Sequence, residues 1–272
     1  MTRFFDGIRL EHHWLASSGG RRLGLNDTDI GATFQFPFLR QATPIRVTPG
    51  FGVQVWDGPV SPLPVPDPLH LVASPDLPPR TYQAYLDTTW NPQFTPWLGG
   101  EFGARVGVYS DFSKVTQDSL RIPSYGLAVL SFSPSFQIKA GIMYLDRNDV
   151  KLLPAGGVIW NPNSDTRLEI LFPNPRVLRR LTTVGTTDWW YYVRGDYGGG
   201  AWTVRRKYTG DVERIDYNDL RAALGLEFQR TGGLEGFVEV GLAFERKVIY
   251  VESPEDNFRA SNVVFLGAGL AF

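Results

Sequence analysis

Cysteine is absent from all 272 residues, histidine occurs three times and methionine twice. Without thiols there is neither a disulfide framework nor a thiolate metal site, which fits an exported protein that needs neither. His12 and His13 are adjacent, so on a strand they point to opposite faces and do not combine as two ligands on one face; His70 lies in a proline-rich stretch. No H-E-x-x-H or G-x-S-x-G motif is present. The sequence therefore calls for no metal, no cofactor and no catalytic residue. No stretch approaches the roughly 18 to 20 consecutive apolar residues of a membrane helix, which excludes a helical membrane protein. With 27 basic and 28 acidic residues the net charge is -1, so there is no electrostatic case for nucleic acid. An export signal is missing too: Met1-Thr2-Arg3 runs straight into Phe4-Phe5-Asp6 without an apolar core.

What the sequence does have is glycine, aromatics and period two. The 29 glycines and 14% aromatic content accompany segments in which every second residue is apolar, the pattern of strands whose two faces meet different media. Phe5 to Leu15 sets Ile8, Leu10 and Trp14 against Arg9 and Glu11. Asp27 to Phe36 and Ile45 to Trp56 follow, with Pro49 predicting a bulge or an irregular end. Thr81 to Trp90 and Trp97 to Tyr109 flank a short turn, and Tyr125 to Ser133 and Phe136 to Leu145 form a hairpin around Pro134-Ser135. Gly156 to Trp160 and Thr166 to Phe172 pair across residues 161–165; Arg176 to Leu181 is short for a spanning strand. In Asp188 to Arg206, Gly198-Gly199-Gly200 predicts a bulge, a bend or a hairpin tip. Tyr217 to Gln229, Leu234 to Tyr250 and Asn262 to Phe272 complete the series.

The final segment, N-V-V-F-L-G-A-G-L-A-F, places Val264, Leu266, Ala268, Leu270 and Phe272 on one face. It resembles the C-terminal recognition strand of bacterial outer-membrane β-barrels. The block Y-L-D-R-N-D-V-K-L-L-P-A-G-G-V-I-W-N-P-N-S-D-T-R-L-E-I-L-F-P-N-P-R, starting at Tyr144, is similar to a family of uncharacterised predicted outer-membrane barrels. That resemblance implies a fold and a location, with the export signal already removed. It carries no activity.

The fold expected is all-β: one transmembrane antiparallel up-and-down barrel over residues 1–272, with about fourteen strands, or twelve if the Arg176 segment merges with a neighbour. Short and long connections fall on opposite sides, as they do in such barrels. Residues 57–79, rich in proline, form an external loop suited to covering the mouth. Trp90, Tyr144, Phe228 and Phe272 are candidate interface aromatics. Val264, Leu266, Leu270 and Phe272 form the assembly signal, whose partners are outer-membrane lipid and the barrel-assembly machinery.

The opposite faces carry both signs of charge: Asp87, Glu101, Arg105, Lys139, Arg167, Glu169, Arg194, Asp196, Arg221, Glu227, Glu239 and Glu245. Unpaired charges are too costly for a packed soluble core, so these residues read as a polar lumen. Arg194-Gly195-Asp196 is an alternating lumen pair rather than an adhesion tripeptide, and Asn26-Asp27-Thr28-Asp29 lacks the spacing of a calcium loop. The reading is a passive, porin-like channel for small solutes, narrow or partly plugged, since no single-sign excess marks an ion-selective pore. A scaffold barrel with a blocked lumen is the second reading. A soluble all-β binding protein and a membrane-embedded lipid hydrolase are more distant ones.

Overall fold

The computed structural model describes residues 4–18, 22–59, 76–206 and 209–272. Apart from two short 3-10 turns, every regular element is a strand. The first five are β1 (Phe5–Leu15), β2 (Gly24–Phe38), β3 (Arg40–Asp57), β4 (Arg80–Trp90) and β5 (Leu98–Ser110). The two-residue β6 (Leu120–Arg121) precedes β7 (Ser124–Ser133), β8 (Phe136–Tyr144), β9 (Leu152–Asn163), β10 (Thr166–Phe172) and β11 (Arg176–Val184). Then come β12 (Thr187–Arg205), β13 (Val212–Arg230), β14 (Glu235–Tyr250), the two-residue β15 (Phe258–Arg259) and β16 (Val263–Ala271).

Leaving out the two-residue strands, fourteen of the sixteen run antiparallel to their neighbours and close into a ring. The seam is β1 against β16, from Arg9 opposite Ala271 to Leu15 opposite Phe265. Ile8 and Phe272 seal it by exchanging both backbone bonds at 3.0 Å. Both ends of the chain lie at the end with the short turns, and the long connections gather at the other.

The alternation of the strands becomes an inside and an outside. Leu224, Val238, Leu242, Val193 and Ile142 are each 55% to 57% exposed on the outer face. Tyr192, Glu227 and Glu239, from neighbouring positions, are buried. An apolar exterior around a polar interior, closed so that no sheet edge is left unpaired, defines a transmembrane β-barrel of the outer-membrane type.

Several local expectations are revised. No bulge forms at Pro49: the register with β4 continues unbroken through Pro49 opposite Leu86, and the irregularity in this hairpin lies between Phe36 and Phe38. The Arg176 segment runs to Val184 and pairs on both sides, so the count is fourteen, not twelve. β9 starts at Leu152, earlier than Gly156. The connection expected over Lys207 to Asp216 is shorter, because β13 begins at Val212. Residues 60–75 of the proline-rich segment lie outside the described residues. At its end, Asp76 and Leu77 are buried and the Pro79 carbonyl accepts from Trp56 N at 3.0 Å.

The triple glycine makes neither a bulge nor a tip. β12 and β13 pair in one unbroken register from Thr187 opposite Arg230 to Arg205 opposite Val212. At 19 residues each they exceed the roughly 9 to 11 that cross a bilayer, and their surplus bends across the mouth. There Thr203 meets Ser110 of β5, with Asp111 N donating to Thr203 O at 3.2 Å. Beneath this hairpin Trp56 packs edge-on to Trp202 and Tyr217 at 5.7 and 5.4 Å. Val204, Ile215, Tyr250 and Phe265 complete a fully buried apolar cluster.

The outer face yields a direct test. Leu224→Arg is expected to lower folding stability in lipid vesicles, read by urea titration, by about 2–4 kcal/mol if that face meets the bilayer interior. A water-facing site would change by no more than roughly 0.5 kcal/mol.

Candidate functional site: the charged interior

Glu239 on β14 has no side-chain exposure. Arg194 of β12 grips it with Nε and Nη2 at 2.8 and 2.5 Å, and the Tyr192 hydroxyl donates to it at 2.8 Å. His13 of β1 approaches to 3.5 Å. Arg194 also reaches Asp196 at 3.2 Å. Three strands of the ring, β1, β12 and β14, are tied together here because period two sends each of these side chains inward.

Further charged and aromatic contacts line the rest of the interior wall. Arg105 chelates Asp87 at 3.0 and 2.5 Å and stacks over Tyr85, 3.9 Å from its ring centre. Asp29 accepts from Arg9 at 2.8 Å, Tyr85 at 2.6 Å and Gln83 at 3.1 Å. Lys139 pairs with Glu101 at 2.5 Å, and Arg176 with Glu227. Arg221 lies 3.1 Å from both oxygens of Asp219, whose second partner is the Tyr217 hydroxyl at 2.7 Å. Arg167 stacks over Trp190 at 4.0 Å and donates to Gln229 at 3.3 Å. Glu169 sits opposite Arg176 in register.

Of the twelve charges expected inside, eleven occupy inward positions and Glu245 does not. A bulge between its neighbours in β14, at a residue with φ of 50°, shifts the alternation by one. Glu245 is thereby turned out, 61% exposed and 3.6 Å from Arg259, while Arg246 takes the inward position with 1% exposure. Arg246 donates to the Tyr217 hydroxyl at 2.9 Å and to Leu23 O at 2.7 Å. Sequence periodicity has no means of anticipating this exchange. It also passed over Arg176, Asp29 and Asp219, although each obeys the same alternation as its neighbours. Among the four interface candidates, Trp90, Phe228 and Phe272 lie at the short-turn end and Tyr144 at the other. Trp90 stacks on Phe102 at 5.9 Å, and Phe228 packs tilted against Trp189 at 5.4 Å.

Two arginines hold the hairpin across the mouth. Arg147, in the β8–β9 connection, donates to the Gly198 and Gly199 carbonyls at 2.8 Å and to Asn218 at 2.9 Å. The glycines have a steric role: a Cβ on Gly198 would stand 2.0 Å from Asp219, and one on Gly199 1.9 Å from the Tyr217 carbonyl. On the far side Arg206 contacts Asp76 at 2.5 Å, Glu213 at 2.8 Å and Asp256 at 2.5 Å. Burial alone would lower its pKa; the bonds to Glu213, Asp256 and Asp76 outweigh that and raise it. Three connections are thus fastened to one guanidinium.

Three adjoining cavities run through this interior. One of 480 Å3 at the short-turn end is lined by Arg9, Arg176, Arg194 and Glu227. It shares Glu11, His13, Asp196 and Arg221 with a central one of 270 Å3. The central cavity shares Gln83, Arg105 and Gly199 with a third of 390 Å3 beneath the external connections. Among the described residues, no group of three or more histidines and carboxylates is placed to hold a metal ion.

No protein-family model and no curated protein matches this sequence. Among solved structures, the chain is similar to the NanC porin, with 7% identity, a TM-score of 0.44 and coverage of 97% of this chain and 98% of that one. It is also similar to an outer membrane channel from Pseudomonas putida F1, at 10% identity and a TM-score of 0.42, covering 100% and 97%. LpxR from Salmonella typhimurium is a third, at 11% identity and a TM-score of 0.42, covering 97% and 99%.

The enclosed pair is expected to dominate interior stability. Glu239→Ala leaves the partly buried Arg194 without its main partner and should cost up to about 3–5 kcal/mol in urea unfolding. Asp6→Ala, which breaks the half-exposed Arg46 pair at 3.2 Å, should cost roughly 0–1 kcal/mol.

Proposed function

We propose that this chain is a bacterial outer-membrane barrel that lets small polar solutes pass along a narrow interior path, with the β12–β13 hairpin as its constriction. The observation that carries the reading is the run of three adjoining cavities, lined by charges of both signs, from the short-turn end to the external connections. Paired charges give the path a transverse field without a net sign, which suits polar or zwitterionic solutes better than one class of ion. The interior carboxylates are engaged mainly by arginine, lysine and tyrosine side chains that brace the wall, a use of charge that favours transport over catalysis. In the same reading Val264, Leu266, Leu270 and Phe272, turned outward on the closing strand, form the surface that the barrel-assembly machinery meets.

The buried aromatic cluster under the hairpin supports a second reading, a scaffold whose lumen is closed. One experiment separates the two. Purified protein is reconstituted in planar bilayers beside a variant in which residues 201–216 are replaced by an Asn-Gly turn, which keeps Gly200 opposite Tyr217. Small conductance steps in the native chain and larger ones in the variant are expected. If both stay silent while each shows heat-modifiable gel migration, the passage is wrong and the scaffold stands.

A further inference from the structure

The 390 Å3 cavity beneath the external connections contains a charge that the interior network does not use. Arg121 is only 8% exposed. Its short strand pairs with β5 so that Arg121 lies opposite Gly107, a position that leaves room for the side chain to enter the cavity. Its Nη1 is 3.5 Å from the Asp146 carbonyl, at the outer limit of a hydrogen bond. Its Nε and Nη2 are buried and meet no acceptor among the described residues. A buried guanidinium with open donors is costly unless an acceptor reaches it.

The surroundings favour an acceptor that is an anion. Arg105, Arg121 and Arg147 line the cavity against two carboxylates, Asp87 and Asp146. Arg105 and Asp87 neutralise each other through a two-bond chelate. Asp146 is occupied by the Ile122 amide at 2.6 Å and the Tyr144 hydroxyl at 3.1 Å. Arg147 spends its donors on neutral oxygens, the Gly198 and Gly199 carbonyls and the Asn218 side chain. The cavity thus holds one more positive than negative charge, and the hydroxyl-bearing Tyr125 stands on its wall. Planar guanidinium groups bind oxyanions through two parallel bonds.

We infer that this cavity is a binding site for small oxyanions of the carboxylate or phosphate class, with Arg121 as the residue that takes the ligand. The site rests on the proposed passage only for its place near the external end, where it adds an oxyanion-holding station to a path otherwise without net sign. Binding itself does not depend on conduction.

The test is calorimetric titration of the detergent-solubilised full chain with inorganic phosphate, with acetate and with neutral glycerol, at constant ionic strength. Saturable binding of phosphate or acetate, and none of glycerol, is expected; which of the two binds tighter identifies the anion type. Arg121→Gln should weaken binding by about tenfold or more. Arg46→Gln, towards the opposite end of the barrel, should leave it unchanged. Heat-modifiable migration checks that each variant is folded. If Arg121→Gln does not fold, Arg121→Lys carries the test, since it keeps the charge and loses the planar fork. Weaker binding in that variant supports the site, and unchanged binding overturns it. No saturable binding in the native chain, or equal binding in Arg121→Gln, also overturns it. Silent bilayers with phosphate binding intact would remove the passage and leave the site; conduction without binding would do the reverse.

Discussion

A backbone amide in hydrocarbon has no water to turn to, and each one left unpaired costs several kcal/mol. Closure of β1 on β16 meets this constraint for the whole chain, because it removes the last free sheet edge. Everything else in the molecule follows from that ring. Once it is closed, each strand has one face towards lipid and one towards a confined interior. Leucine, valine and isoleucine can then be half exposed on the outside, and the polar residues between them have nowhere to go but in.

Inside, charges cannot stay alone, since a low-dielectric wall raises the cost of an unpaired ion. The interior answers with arginines that span neighbouring or facing strands: Arg194 on Glu239, Arg105 on Asp87, Arg9 on Asp29. Several also lie flat on aromatic rings, as Arg105 does on Tyr85 and Arg176 on Tyr192. These contacts narrow the lumen while keeping it polar. At the external end the chemistry changes: Trp56, Trp202, Tyr217 and Phe265 pack together, and Arg206 and Arg147 hold connections in place, Arg147 while also standing on the wall of the outer cavity.

Much of the barrel was legible from period two. The strand set, the sidedness of short and long connections and the inward direction of eleven of the expected charges follow from alternation, which acts residue by residue and needs no knowledge of neighbours. The expectations that failed depend on what a strand meets. Pro49 stays in register opposite Leu86, and only the pairing towards β2 is interrupted there, between Gly31–Gly50 and Phe34–Val47. The glycines at 198–200 make neither the expected bulge nor a tip, while the hairpin does bend; Gly198 and Gly199 are required by Asp219 and the Tyr217 carbonyl on the adjacent strand. Glu245 leaves the interior because one residue of bulge reverses the face of everything beyond it.

By itself, then, the sequence determined the class: period-two apolar alternation, no apolar run long enough for a membrane helix and the closing segment up to Phe272 together pointed to a membrane barrel. Tertiary structure decided which charges meet. Arg194 and Glu239 are 45 residues apart and Arg147 and Asn218 are 71 apart, so their pairing depends on strand register and on the bend of one hairpin, neither of which is a property of a single segment. It also decided that Arg121, unremarkable in a loop, stands buried beside an open cavity with donors to spare. That follows from the two-residue strand that turns it inward, a local detail too short to leave any periodic trace.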